Sequence, residues 1–381
     1  MSTLKVNKIE NTATTDGGIQ IDSDGHVQVD GVQLPTAGAL SNRNKIINGD
    51  MRIDQRNAGA SVTINDAGAY VVDRWSVQEV ADGALSVQRD TVAPAGFTNS
   101  LKVTVTTADT SLAASQYANI RQPIEGFNAA DLAFGTASAA TVTVSFWVRS
   151  SLTGTFGGAL SNSAENRSYP FTYAIASANT WEQKTVAVVG DTSGTWLTDN
   201  GIGLWVVFGL GVGTDRSGTA GAWAAANYRS ATGATSVIGT LNATFYITGV
   251  QLEVGDKATP FEHRSFGDEL AKCQRYYQTT GNGANPTNAF GGAVFVTYPS
   301  NDYAYGSARF HSTMRANPTV VLYDNSGTSG TVTQNGTANG IAASASHITI
   351  NGFSTVQKSS GTWFNDARYT IYCGYTASAE L

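Results

Sequence analysis

Cysteine is nearly absent: Cys273 and Cys373 are the only two in 381 residues, with no CxxC pair and no Cys/His cluster. That excludes a disulfide framework and a thiolate zinc site, and leaves two free thiols of the buried kind. Charge is scarce, at 14% of residues against about 25% in ordinary soluble proteins. What charge there is sums to −6 with a pI near 5.2. No basic surface is therefore expected that would neutralise phosphates or lie on anionic lipid, and nucleic acid is not expected as a partner. No apolar run approaches the roughly 20 residues that span a bilayer, and "MSTLKVNKIENTATTDGG" lacks the apolar core of a secretory leader. The expectation is synthesis and assembly in a cytoplasm, without membrane insertion.

Catalytic frames are missing too. His26, His263, His311 and His347 fall into no GxSxG or HExxH context, and Glu125, Asp131, Glu165, Glu182, Asp191 and Asp199 form no recognisable carboxylate pair. "GLGVGTDRSG" has spaced glycines but no Lys-Ser/Thr and no βαβ setting, so it reads as a flexible β-loop. No catalysis and no cofactor are expected.

What is present is Gly, Thr, Ser, Ala and Asn, the composition of strands and turns. A single core stops growing at about 250 to 300 residues, so more than one domain is expected. Residues 1–41 alternate short β pieces, Ile19 to Ile21 and Val27 to Val29, with the turn pairs Asp16-Gly17, Asp24-Gly25 and Asp30-Gly31. Pieces this short bury no core alone, which marks an attachment segment that orders on copies of itself or on a larger partner.

Residues 42–264 read as a series of strands, clearest at 70–80, 100–106, 141–149, 180–189, 203–208 and 243–252. "TVTVSFWVRSS" alternates Val142, Val144, Phe146 and Val148 against Thr143, Ser145, Trp147 and Arg149, the pattern of a half-buried antiparallel strand. In "FYITGVQLEVG" the apolar face switches at Gly249, where a bulge is expected. Many strands and little helix define a mainly β chain with a β-sandwich. One helix is expected over 265–280: Ser265 caps it, Asp268 and Glu269 occupy the first turn, Lys272 and Arg275 follow, and Phe266, Leu270, Cys273 and Tyr277 form an apolar stripe. Residues 281–381 return to short β runs, a small β-domain.

In "NKIINGDMRIDQRN", Ile46 and Ile47 read as the start of the first strand and Asn48-Gly49 as a turn tolerating positive φ. Asp50, Asp54 and Arg56 are turn and ion-pair residues, or else Asp50 helps to hold a structural Ca²⁺, whose preference is for hard oxygens. In "VVDRW", Trp75 is a core anchor and Arg74 an ion-pair partner elsewhere. Seven Trp, 15 Tyr and 15 Phe supply rings on which a pyranose could stack. Trp147, Trp181, Trp196, Trp223 and Trp363 read first as packed edge residues. Ligand contacts are expected at two tip loops, Tyr298, Asn301, Asp302, Tyr303 and Tyr305 in one and Trp363, Asn365 and Asp366 in the other.

The order of "NKIINGDMRIDQRN", "VVDRWSV", "VSFWVRSS" and "ITGVQLEVGDKATPFEHRSFGDELAKCQRYYQ" resembles tail fibre and tail-associated proteins of tailed bacteriophages. In these a carbohydrate-binding-module-like jelly roll is followed by a short helix. "ARFHSTMRANPTVVLYDNSGTSGTV" is similar to the small β-domain that often closes such fibres, and "STLKVNKIE" to virion-attaching ends. The resemblance covers about residues 42–381. It implies a homotrimer on the phage tail, joined to other tail proteins by the N-terminal segment and meeting host surface polysaccharide or lipopolysaccharide, and therefore a location in the virion after assembly in the host cytoplasm. An apolar stripe on a helix between two β-domains would be wet in a monomer, which places Phe266, Leu270, Cys273 and Tyr277 near the trimer axis. Two other readings stay open: a tail adaptor or decoration protein without host contact, and a polysaccharide-cleaving tailspike.

Overall fold

The structure, a computed structural model, describes residues 8–10, 18–21, 27–29, 32–33, 42–281, 293–298, 302–335, 338–361, 363 and 368–381. The three Asp-Gly turn pairs of the N-terminal segment, and Asn301, Asn365 and Asp366, lie outside the described residues. The N-terminal strands are β1 (Lys8–Glu10), β2 (Gly18–Ile21), β3 (Val27–Val29) and β4 (Val32–Gln33), an antiparallel meander. Its register sets Ile9 opposite Ile19, Ile19 opposite Val29 and Ile21 opposite Val27, so these five side chains share one face, and all five are exposed.

The sandwich is built from β5 (Val62–Ile64), β6 (Ala67–Val72), β7 (Trp75–Val80), β8 (Ala84–Asp90), β9 (Ser100–Thr107), β10 (Tyr117–Glu125), β11 (Val142–Ser150), β12 (Gly154–Ser161), β13 (Ser168–Ile175), β14 (Glu182–Val188) and β15 (Ile202–Val212). After the short pair β16 (Ser217–Gly218) and β17 (Ser230–Ala231), β18 (Thr244–Val254) completes it. One sheet runs β13-β12-β15-β10-β7-β6, the other β14-β11-β18-β9-β8-β5. Between them lies the core, where Trp75, Phe146, Phe156, Phe171 and Phe208 are buried. Each large apolar side chain so buried contributes about 1.5–3 kcal/mol. Strand β11 carries the expected alternation: Val142, Val144, Phe146 and Val148 are fully buried, while Trp147 and Arg149 face outward. Gly209 and Gly211 of "GLGVG" belong to β15 and not to a loop; Gly209 is needed because a Cβ there would lie 2.8 Å from Ser230 Cβ.

Two local expectations are corrected. Ile46 and Ile47 begin no strand, because side chains saturate their backbone: Ile46 N donates to Asn44 Oδ1 at 2.9 Å and Ile47 N to Gln122 Oε1 at 2.9 Å. Tyr277 does not belong to the helix, which spans Phe266–Gln274 with Arg275 at its C-cap; Tyr277 opens β19 (Tyr277–Thr279). The cap is as expected, with Ser265 Oγ accepting from Asp268 N at 3.2 Å, a bond whose loss costs about 1 kcal/mol.

The remaining strands are β20 (Ala293–Thr297), β21 (Tyr303–Arg309), β22 (Thr319–Tyr323), β23 (Thr331–Gln334), β24 (Ala338–Thr349), β25 (Gly352–Lys358) and β26 (Thr370–Ser378). They follow the order β26-β20-β21-β25-β24-β23, and β23 pairs back on β26, closing a small barrel around Phe295, Phe353, Val356, Trp363 and Ile371. The other half of β26 lies between β22 and β19.

Barrel and sandwich meet at a polar junction. Arg74 and Arg56 both pair with Glu380, Arg74 stacks on Tyr276 and Arg56 on Tyr277 at 3.6 Å each, and Glu125 accepts from Arg275 and from the Tyr276 hydroxyl.

Candidate functional site

The outer face of the β14-β11-β18 sheet carries a groove of about 700 Å³. Strand geometry builds its floor. Trp147 and Gln183 are register partners, as are Ser145 and Thr185, so Trp147, Gln183 and Thr185 all point outward. The register slips between Ser145 and Trp147 against β18, where Gly249 takes φ +59°. The bulge lets two rings approach: a Cβ on Gly249 would lie 2.7 Å from Phe97 Cζ and 3.0 Å from Trp147 Cδ1.

One wall is the segment Ala258 to His263, which crosses the outer face and is fixed from beneath. Thr259 Oγ1 donates to Glu253 Oε2 at 2.6 Å, Glu262 N donates to Gln251 Oε1 at 2.8 Å, and Arg43 Nη2 reaches Pro260 O at 2.6 Å. Phe261 meets Phe97 edge to face with centroids 5.1 Å apart, and His263 completes the trio at 4.9 Å from Phe261. Gln28 of β3 also lines the groove. Farther along the same face Trp181 packs on Tyr246 at 6.1 Å, with the Arg149 guanidinium 5.0 Å from the Tyr246 ring. Rings flanked by amide, hydroxyl and guanidinium groups suit a ligand with an apolar face and a hydroxylated edge.

The expected tip residues divide. Tyr298 and Tyr305 are 45% and 44% exposed and 5.8 Å apart, Tyr303 is 6.3 Å from Tyr305, and the Arg368 guanidinium lies 5.2 Å from the Tyr298 ring. Asp302 accepts from Gln357 Nε2 at 3.0 Å. Trp363 is no platform: it is 1% exposed and part of the barrel core, where an indole removes the most apolar surface from water.

The helix stripe is covered within one chain. Cys273 and Tyr276 pack with Ile47 and Ile53, Leu270 is half-buried against them, and Tyr277 is buried under Arg56, which leaves Phe266 exposed. The stripe therefore needs no second copy to be dry, contrary to the expectation that it would be wet in a monomer. Asp50 is buried and paired with Arg52, and among the described residues no group of three or more His, Cys, Asp or Glu could hold a metal.

Sequence reading treated Trp147 as a packed edge residue and passed over Phe97, Phe261, His263, Gln183 and Thr185. The outward phase of Trp147 in its strand was the available signal.

No family model matches the chain, and no curated protein matches it. Among solved structures it is similar to the enzymatically active domain of bacteriophage CBA120 tailspike protein 4, with TM-score 0.30 and 13% identity over 56% of this chain and 22% of that one. It is also similar to the family 11 carbohydrate-binding module from Clostridium thermocellum in complex with a β-1,3-1,4-mixed-linked tetrasaccharide, with TM-score 0.26 and 11% identity over 53% and 98%. A third is TmCBM61 in complex with β-1,4-galactotriose, with TM-score 0.29 and 9% identity over 56% and 100%. The chain spans about a fifth of the tailspike domain, and scores this low carry no functional argument.

Proposed function

We propose that the protein is a bacteriophage tail fibre or fibre-like virion protein that binds glycan on the host surface through the sandwich groove. One observation carries this reading: Trp147 lies half-buried on an outer sheet face, between the Phe97/Phe261 wall and the polar Gln183 and Thr185. A pyranose would stack on rings while its hydroxyls bond to the amide and hydroxyl groups. The exposed Ile/Val face of the N-terminal sheet supports attachment of that end to other tail proteins, since a wet apolar face this size calls for cover. A homotrimer would multiply weak single-sugar contacts into firm adsorption.

The proposed action is binding without cleavage. Three of the candidate carboxylates are already engaged: Glu125 by Arg275 and Tyr276, Asp191 by both arms of Arg167, Glu182 by Lys184. The test is adsorption of labelled full-length chain to host cells with and without their surface polysaccharide, in parallel with Trp147→Ala. Binding that disappears with the polysaccharide, and weakens about tenfold or more in the variant, supports the reading. No binding to cells by the unaltered chain would favour a tail adaptor, and release of sugar fragments would favour a cleaving tailspike.

A further inference from the structure

The opposite sheet has its own polar surface. On its outer face Arg121 and Asn119 of β10 lie beside Gln78 of β7 and near Trp205 of β15. The Arg121 guanidinium stacks 4.0 Å from Trp205, and Arg229 and Arg216 stand 4.1 and 5.7 Å from the Tyr117 ring. Two of these three cations share one carboxylate. Glu165, held at φ +52°, accepts from Arg121 Nη1 at 3.0 Å and from Arg229 Nη2 at 2.7 Å, while Arg216 makes no ion pair among the described residues. Burial, and then the nearby Arg229 charge, lower the Arg121 pKa. A chain of net charge −6 thus concentrates an uncompensated positive cluster at one place.

Hydrogen bonding shows the same imbalance. Among the described residues, Arg121 Nε, Arg229 Nε, Trp205 Nε1, Gln78 Oε1 and both amide atoms of Asn119 are buried without a partner, and Asn119 is wholly inaccessible. A buried polar group left unpaired costs about 1–3 kcal/mol, so native proteins supply such groups with water or ligand. Four of these six atoms are donors. Donors beside excess guanidinium charge match an oxyanion.

We propose that this face is a second ligand site, selective for an acidic sugar unit, with Arg121, Arg216 and Arg229 receiving its carboxylate and the buried Asn119 and Trp205 donors reaching it through ordered water. The inference rests on the reading of the chain as a glycan-binding protein and adds the ligand class. Two sites on opposite sheets would let one sandwich hold a charged polysaccharide at two repeats.

The experiment follows the Trp205 indole N–H by NMR in the full chain, assigned with Trp205→Phe, during titration with oligogalacturonate, a neutral galactose oligomer of equal length, and inorganic phosphate. A shift with the uronate at least about tenfold tighter than with the neutral oligomer or phosphate is expected, weakened about tenfold or more by Arg216→Gln. Arg216 is half-exposed, so this variant leaves the core intact where Arg121→Gln disturbs it. Equal response to the neutral sugar, equal affinity for phosphate alone, or indifference to Arg216→Gln overturns the proposal. Trp147→Ala separates it from the groove: uronate binding unchanged in that variant belongs to this face, whatever the groove does.

Discussion

Arg74 and Glu380 form an ion pair across the junction, joining the turn between β6 and β7 to the segment that follows β26. Both side chains are almost inaccessible, at 1% and 7% exposure. Arg74 adopts φ +70°, a conformation unusual for a residue with a Cβ, and so reaches Pro123 O as well as the carboxylate.

Breaking this pair from one side leaves a buried charge without its partner. Glu380→Gln is expected to destabilise the protein by about 3–5 kcal/mol, read as a lowered urea midpoint. Because Arg56 shares the carboxylate, Arg56→Gln is expected to cost less than Arg74→Gln. Equal stability of Glu380→Gln and the parent would remove the pair from the junction's energetics.

Gly249 is expected to tolerate no side chain. Gly249→Ala places a Cβ 2.7 Å from Phe97 Cζ in a left-handed backbone. Strain of this kind costs about 1–3 kcal/mol, and the displaced Phe97 would open the groove wall. Calorimetry should show a lowered Tm, and glycan binding should weaken in step. An unchanged Tm would mean that Phe97 is not held where the geometry sets it.

Asp73 supplies a pH signature. Burial pushes its carboxyl up to about 7, although Arg56 and the bonds from Gln55 pull the other way. In the unfolded chain the group titrates near about 3.9. The folded state thus holds the proton more tightly, and this stability is full below about pH 4 and lost as pH rises to about 7. Relative to Asp73→Asn, the parent should lose stability across that window in urea titrations. Parallel curves would show that Asp73 titrates normally.

The two thiols should be silent in the native protein. Burial pushes Cys373 up to about 12 and Cys273 well above its ordinary value, with the Asp73 charge adding to the latter. A thiol reagent at neutral pH should label neither until denaturant is added, then both. Rapid labelling of either in the folded chain would contradict its burial.

Local features of the fold were legible because they repeat over a few residues. The alternation of Val142 to Val148, the face switch at Gly249 and the Ser265 cap each follow from neighbours in sequence. Asn48 takes φ +58°, as a turn-tolerant Asn-Gly pair suggests. The junction was not legible, since Glu380 lies 306 positions from Arg74. Ile47 departs from the expected strand for a related reason: Gln122, 75 positions away, satisfies the backbone N–H that a strand would otherwise pair. The strand alternation around Trp147 marks its outward phase, whereas nothing in the text around Trp363 foretells that closure of the barrel buries it.

The sandwich begins and ends at one spot. Arg264 bonds to the carbonyls of Asn44 and Ile46, while Glu262 receives the backbone N–H groups of Arg43 and Asn44. A pull applied between residue 42 and the helix would pass through these few bonds and leave the long strands unloaded. In mechanical terms the sandwich is shunted at its base, so a load between its two ends bypasses the long strands, while the Arg74–Glu380 and Glu125–Arg275 pairs tie it to the barrel side.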